Sequence, residues 1–297
     1  MRSAWRTINF IATHPLAKKN KPRAFGQFFR WQLGRKINPY PTVFPFVENS
    51  TLLVSAGMTG ATGNIYTGLH EFNDMGFLLH FLRKEDVFVD IGANVGSYTV
   101  LASSVVGART IAVEPSPSTF ISLKRNIHIN QVEELVDTYN IGLGADTGSI
   151  HFTKGLDTVN HIVPDGTASQ GRDLVEIRVE TLDNLLQEKE VSLMKMDVEG
   201  YEKFVLEGAG DTLANPSLKA IIIELNGSGD RYGVNEGDIH ELLLQYDFRP
   251  YNYDPFSRKL IKLVSFGSFN TIYIRNEEFV QERLSTARKF AVLGTTI

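Results

Sequence analysis

The sequence predicts a doubly wound α/β fold with a mostly parallel sheet, preceded by an N-terminal helical extension. Three observations carry this. From Val87 onward, short apolar runs alternate with amphipathic segments. The first run ends in an acidic residue and a glycine-rich turn, Asp90-Ile91-Gly92-Ala93-Asn94-Val95-Gly96. Residues 1–40 carry nine basic side chains and no acidic one, which sets them apart from the rest. Strand–helix alternation implies a parallel sheet covered by helices on both faces, with ligands held beyond the carboxyl ends of its strands.

The elements follow in order. Pro22 can open a helix in which Phe25, Phe28, Phe29 and Leu33 recur at spacings of three and four. Lys36 to Pro45 contains three prolines and reads as a linker, and Thr51–Val54 as a short strand. Gly57 to Gly68 reads as a loop, with a helix from Glu71 to Leu82 behind it. The alternating part then gives strands at Val87–Ile91, Thr110–Val113, Asp137–Gly142, Ser192–Met196 and Ala220–Leu225. Helices are expected at Ser97–Val106, from Pro117 behind a Ser116 cap, at Thr181–Gln187 and at Asp238–Tyr246. Ser149–Phe152 and Leu174–Val179 read as an inserted hairpin around a polar loop at 157–173. Pro250–Tyr253 and Asn270–Ile274 close the sheet.

Composition narrows the chemistry. The chain has 297 residues, 42% of them hydrophobic, enough for a substantial core. It has no cysteine, which excludes disulfides, thiolate-bound zinc and a cysteine nucleophile. No stretch approaches the roughly 20 apolar residues of a membrane span. The apolar patch from Ile8 to Ala12 is too short and broken for a secretory signal, so a cytoplasmic protein is expected. Net charge is −4, yet beyond residue 40 it is −13, so a basic arm sits on an acidic body.

The stretch from Val87 to Gly96 is a strand that enters a glycine-rich turn. Gly92 and Gly96 permit a tight turn and close backbone approach to a ligand. Glu114 ends the next strand, 18 residues after Gly96, where a carboxylate can bind both hydroxyls of a ribose. A dinucleotide is the alternative. Its turn is G-x-G-x-x-G, whereas Gly92 to Gly96 is G-x-x-x-G, and Asp90 would repel a pyrophosphate. S-adenosylmethionine carries a sulfonium and an ammonium and no phosphate, so it suits this carboxylate better. The blander alternative is an ordinary βα turn, which leaves Asp90 and Glu114 without a purpose.

These residues resemble the FkbM family of methyltransferases. The likeness rests on Asp90 to Tyr98, Val113-Glu114-Pro115, Asn126, Ile221-Ile222-Ile223-Glu224 and, most specifically, Met194-Lys195-Met196-Asp197-Val198-Glu199-Gly200-Tyr201-Glu202. The resemblance covers about residues 60–275. It implies a seven-stranded, Rossmann-like sheet with an antiparallel last strand, and O-methylation of hydroxyls on sugars or natural products. Residues 51–297 are then the methyltransferase domain and residues 1–50 a basic, aromatic extension. The expected cofactor contacts are Asp90, Gly92, Ala93, Asn94, Gly96, Glu114, Pro115, Asn140, Gly142 and Asp197.

The catalytic candidates are Glu199, Asp197 and His70. Methyl transfer needs an aligned hydroxyl and a base for its proton. Glu199 is the first candidate base, two residues beyond Asp197; a solvated carboxylate is its plainer reading. Asp197 faces the methionine end of the cofactor or the acceptor, or else caps the turn at Gly200. His70 is the second candidate, against the common case of a packed histidine; His128, His151 and His161 have less context. Asp197, Glu224 and Asn226 could together hold a magnesium-type ion, but more simply shape the acceptor pocket, and no metal site is assigned. Gly57 to Gly68, with Tyr66 and Glu71 behind it, could form a lid.

The acceptor is expected to be a small molecule or glycan. The acidic body argues against nucleic acid. The basic arm, with Trp5 and Trp31, suits anionic lipid or a lipid-linked substrate, or more plainly a helix packed through Phe25, Phe28, Phe29 and Trp31. Two other functions remain open on sequence: a non-catalytic docking module that works through this arm, and a nicotinamide-dependent sugar-modifying enzyme.

Overall fold

The computed structural model describes residues 2–55, 57–153, 162–163 and 174–297. His161 and most of the polar loop expected at 157–173 lie outside the described residues.

The basic arm folds as α1 (Arg2–Thr13), α2 (Pro15–Lys19) and α3 (Lys21–Ile37). Asn20 caps α3 by accepting from the Arg23 N–H at 3.4 Å. The buried face of α3 is Ala24, Phe28 and Trp31, while Phe29 and Leu33 turn to solvent. The expected aromatic face was therefore rotated. Spacing four then three from Ala24 fits the helix period, and Phe29 lies about 100° around the helix from Phe28.

Part of the expected linker is a strand. β1 (Thr42–Pro45) pairs antiparallel with β2 (Thr51–Val54), with Pro45 at its end, where a missing N–H is tolerated. The expected lid is also not a loop. It forms α4 (Thr59–Thr67), in which Asn64 Nδ2 donates to the Gly60 carbonyl and Thr67 Oγ1 to that of Gly63. Tyr66 is buried and receives a bond from Gln32 Nε2 of α3 at 3.2 Å. Packing against the arm overrides the poor helix propensity of glycine and threonine here.

After α5 (Phe72–Phe81) the alternation begins. It runs β3 (Val87–Ile91), α6 (Ser97–Val100) with a π-helical continuation to Val106, β4 (Arg109–Val113), α7 (Pro117–Ile129) and β5 (Val136–Tyr139). The chain then leaves the main sheet. β6 (Gly142–Leu143), β7 (Gly148–Thr153), β8 (Ile162–Val163) and β9 (Leu174–Glu180) form a small sheet in which β7 and β9 pair antiparallel, as the expected hairpin requires. The third strand thus stops at Tyr139, three residues short of the expected end.

The rest comprises α8 (Leu182–Leu186), β10 (Leu193–Met196), α9 (Glu202–Glu207), α10 (Gly210–Ala214), β11 (Ala220–Glu224), α11 (Glu236–Gln245), β12 (Arg249–Asp254), β13 (Lys259–Lys262), β14 (Asn270–Ile274), α12 (Glu277–Thr286) and a terminal hairpin of β15 (Ala291–Val292) and β16 (Thr295–Thr296). Among the described residues the main sheet runs β13-β12-β14-β11-β10-β3-β4-β5. β14 lies antiparallel to β11 and β12, as an antiparallel last strand requires. The sheet has eight strands rather than seven, because β13 folds back from β12 as a hairpin along the outer edge.

Strands β3, β10 and β11 are buried on both faces. Phe88, Leu193 and Ile222 join the core shared with α1 to α5, while Val89, Met194 and Ile221 join the core on the other side. This double burial explains their continuous apolar runs. From β3 the chain steps outward to β4 and β5, then returns to β10 on the other side. The crevice of a doubly wound sheet opens at that reversal. Among the described residues no helix is long and apolar enough to cross a membrane.

Asn126 of α7 ties the layers together. It is fully buried; its Nδ2 donates to the Val95 carbonyl at 2.8 Å and its Oδ1 accepts from the Leu53 N–H at 2.6 Å. Replacement by alanine leaves two backbone groups buried without partners. Asn126→Ala should therefore cost roughly 2–4 kcal/mol in urea unfolding; a loss below about 1 kcal/mol would show that the turn does not depend on this bridge.

Candidate active site

The turn after β3 is folded over the end of β10. The Gly92 and Ala93 N–H groups both donate to the Val113 carbonyl, at 3.0 and 2.9 Å. Gly92 has φ +75°, and a Cβ there would collide with the Asp197 carbonyl oxygen. Only glycine fits. Asn94 follows in the left-handed region, φ 51°, and so aims its N–H at Glu114 Oε2, 2.9 Å away.

Glu114 is buried, and its other oxygen, Oε1, accepts from the Ser116 N–H at 2.8 Å. Burial raises its carboxyl to about 7 against the pull of these two N–H donors. Each oxygen keeps lone pairs for a ligand. Asp90 accepts from Thr99 Oγ1 at 2.6 Å; burial raises it to about 6, opposed by that bond and by Lys195.

These groups open onto a cavity of about 410 Å³ at the sheet reversal. Ile141, Leu143 and Ile150 supply an apolar wall near Glu114. Of the expected contacts, Asp90, Gly92, Ala93, Asn94, Glu114, Pro115, Gly142 and Asp197 line it, as do Glu199 and His70. Gly96 and Asn140 do not appear in its wall. A Cβ on Gly96 would strike the Leu123 side chain, so this glycine lets α6 and α7 close together. Asn140 donates through Nδ2 to the carbonyls of Glu114 and Pro115, at 2.8 and 3.0 Å, and so fixes the carboxylate's backbone.

In all, six carboxyl groups, Glu114 included, and one ammonium line the cavity, among the described residues. The ammonium is Lys195, in the middle of β10 and only 3% exposed. Its Nζ lies 3.1 Å from Asp197 Oδ2 and 5.0 Å from the centre of the Tyr98 ring. Tyr98 in turn donates its hydroxyl to Glu71 Oε2 at 2.6 Å. Burial alone would lower Lys195, but Asp197, Glu71, Asp90 and Glu224 together raise it. It stays charged.

Asp197 and Glu224 share a hydrogen bond. Burial and then the negative Asp197 push Glu224 up to about 9, so at neutral pH Glu224 holds the proton. Burial would raise Asp197 as well, but Lys195 and the proton donated by Glu224 outweigh it and hold Asp197 below its usual range. Glu199 sits at φ 54°, and burial, then Asp197, raises it to about 7. Gly200 follows at φ +98°, against the Ser228 carbonyl. Glu202 accepts from the Val198 and Gly200 N–H groups and takes the capping role considered for Asp197.

His70 is held by packing. Its ring lies 5.0 Å from Phe10 of α1 and against Gly63, where a Cβ would strike it. Burial lowers it, so it is neutral. His128 pairs with Glu133 at the surface, and His151 lies on β7, outside the cavity lining. The magnesium-type cluster does not assemble. Glu224 is bonded to Asp197, and Asn226 Oδ1 accepts from the Ser228 N–H. Among the described residues no group of three or more His, Asp or Glu side chains has metal-binding geometry. Lys195 and Tyr98 were given no role from sequence. The signal was present: a lone lysine between two methionines in a buried strand.

A cavity at the sheet reversal, with a buried carboxylate at one end and an acidic far end, lies in a fold of the class I methyltransferase type. A family model, the methyltransferase FkbM domain, matches residues 90–250, more than half of the chain. The chain belongs to that family, and S-adenosylmethionine is the methyl donor this membership implies. Similar curated proteins include the hexuronic acid methyltransferase AglP of Haloferax volcanii, 29% identical over 56% of this chain and 64% of its own length. Methyltransferase 1 of Beauveria bassiana is 30% identical over 43% of this chain and 59% of its own. The 31-O-demethyl-FK506 methyltransferase FkbM of Streptomyces tacrolimicus is 25% identical over 52% and 72%. The chain thus spans less than two thirds of the first two relatives.

The Asp197–Glu224 proton has a measurable consequence. The unfolded Glu224 titrates at 4.5 and the folded one at about 9, so between these values only the folded state holds the proton. Its stabilisation is complete below the lower value and lost as pH rises toward the upper. Glu224→Gln keeps a neutral hydrogen-bond donor. The variant should lose the decline in thermal stability that wild type shows from about pH 7 to about pH 9; an unchanged slope would place the proton elsewhere.

Proposed function

We propose that the protein is an S-adenosylmethionine-dependent O-methyltransferase acting on a hydroxyl of a sugar, glycan or natural product. One observation carries this reading: the Glu114 carboxylate and the Lys195–Asp197–Glu224 cluster face the same cavity at the sheet reversal. The donor set fits the cofactor. Acidic walls favour a sulfonium and an ammonium, and Glu114 retains lone pairs for ribose hydroxyls. The volume falls within the roughly 300–1,000 Å³ of small-molecule sites. A pyrophosphate would meet six carboxyl groups, which speaks against the nicotinamide alternative. The likeness to a hexuronic acid methyltransferase and to a 31-O-demethyl-FK506 methyltransferase supports a sugar or natural-product acceptor.

When bound, the cofactor supplies a methyl group on a good leaving group. The protein must bring the acceptor oxygen into line and take its proton. Alignment can supply roughly 7–11 kcal/mol of the barrier. Glu199 is the base: its carboxyl, raised to about 7, is poised near neutral pH. Neutral Glu224 already donates its one proton to Asp197, so its free oxygen lone pairs and those of ionised Asp197 can accept a hydrogen bond from the acceptor hydroxyl. His70, wedged between Phe10 and Gly63, shapes the wall.

Calorimetric titration with S-adenosylhomocysteine, using NAD as control, tests the cofactor. Micromolar binding of the first alone is expected, and binding of neither would sink the reading. Nucleotide- and lipid-linked sugars are the acceptors to screen. Glu199→Gln should keep cofactor affinity yet lower methyl transfer by roughly 10²–10⁴-fold. It should also abolish the rise of kcat/KM with pH through about 7, since only the ionised carboxylate takes a proton. Transfer within a few-fold of wild type, with the pH limb intact, would remove Glu199 from the role.

A further inference from the structure

The outer face of α3 is apolar and has no partner among the described residues. Phe29, Leu33 and Ile37 recur every fourth residue, at 58%, 62% and 85% exposure. Beyond the helix end Tyr40 and Val43 are also exposed, at 75% and 51%. Spacing of four keeps the three helical positions on one stripe. Isolated exposed apolar residues are ordinary, but a continuous stripe marks a surface that is covered in use.

Beside the stripe, Arg23 and Arg30 of α3 flank a crease of about 290 Å³ lined also by Gln27, Phe44 and Phe46. Neither arginine pairs with a carboxylate among the described residues. The Gln27 Oε1 atom is buried there without a hydrogen-bond partner among the described residues. The crease therefore offers two guanidinium groups to a phosphate and one acceptor to a hydroxyl.

We infer that α3 docks the protein onto an anionic phospholipid surface. The stripe enters the headgroup boundary, and Arg23 and Arg30 meet lipid phosphates at the crease. Charge selects this occupant. Residues 1–40 carry nine basic and no acidic side chains, whereas the remainder carries −13. A second copy on the same face would set two basic arms against each other. An anionic surface neutralises the arm and repels the body. Interfacial helices combine such an apolar face with flanking lysine and arginine. This inference stands independently of the proposed reaction.

Co-sedimentation of the full chain with vesicles tests it. Binding to phosphatidylcholine vesicles containing about 30% phosphatidylglycerol, and much weaker binding to pure phosphatidylcholine, is expected. The double variant Leu33→Asp and Ile37→Asp should lower binding about tenfold or more. Its melting temperature should hold, because both side chains are exposed. Arg23→Gln with Arg30→Gln should erase the preference for anionic vesicles; an unchanged preference would overturn the role of the crease. Wild type that ignores both vesicle types overturns the inference. So does a wild-type dimer that the Leu33/Ile37 variant converts to monomer, which would make a second copy the occupant.

Discussion

A buried ammonium and its carboxylates make each other tolerable, and the site is built around that exchange. Lys195 alone in the middle of β10 would cost several kcal/mol of desolvation. Six carboxyl groups around one cavity would, without it, repel each other or take up protons. Together they settle into a graded set: Asp197 ionised, Glu224 protonated, Glu199 poised between. The same ammonium faces the ring of Tyr98, whose hydroxyl holds Glu71. One charge thus connects β10, α6 and the entrance to α5, and the polarity of that end of the cavity depends on it.

Much of the fold was legible because periodicity reports burial. Strands β3, β4, β10 and β11 read as apolar runs since both faces are covered, and the acidic residue and glycines at the end of β3 marked the crevice. What misled were segments whose structure is imposed from outside. Thr59–Thr67 has loop composition, yet it is helical because α3 packs on it and Asn64 and Thr67 bond within the turn. Thr42–Pro45 looked like a linker because its partner, β2, is short and does not announce the pairing. On α3 the aromatic residues drew attention, but the small Ala24 set the buried face.

The site shows the same division. Residue types fixed by backbone geometry, such as Gly92 and Glu114, could be placed from their spacing. Residues that act through others could not. Asn140, expected as a cofactor contact, also pins the backbone of Glu114 and Pro115. Glu202, quoted only as part of a motif, holds the turn that presents Glu199. The role of Asn140 depends on partners 26 and 25 residues away, which no local pattern encodes, whereas that of Glu202 is set within its own turn.

The separation of charge between arm and body has a further physical meaning. A molecule with positive residues gathered at one end and negative ones elsewhere has a large electric dipole moment, whatever its small net charge. Near a charged interface the field exerts a torque on that dipole as well as a force on the whole. The torque acts within about one Debye length, roughly 8 Å at physiological salt. Encounters would therefore be turned arm-first before any side chain touches, raising the fraction of collisions that are productive.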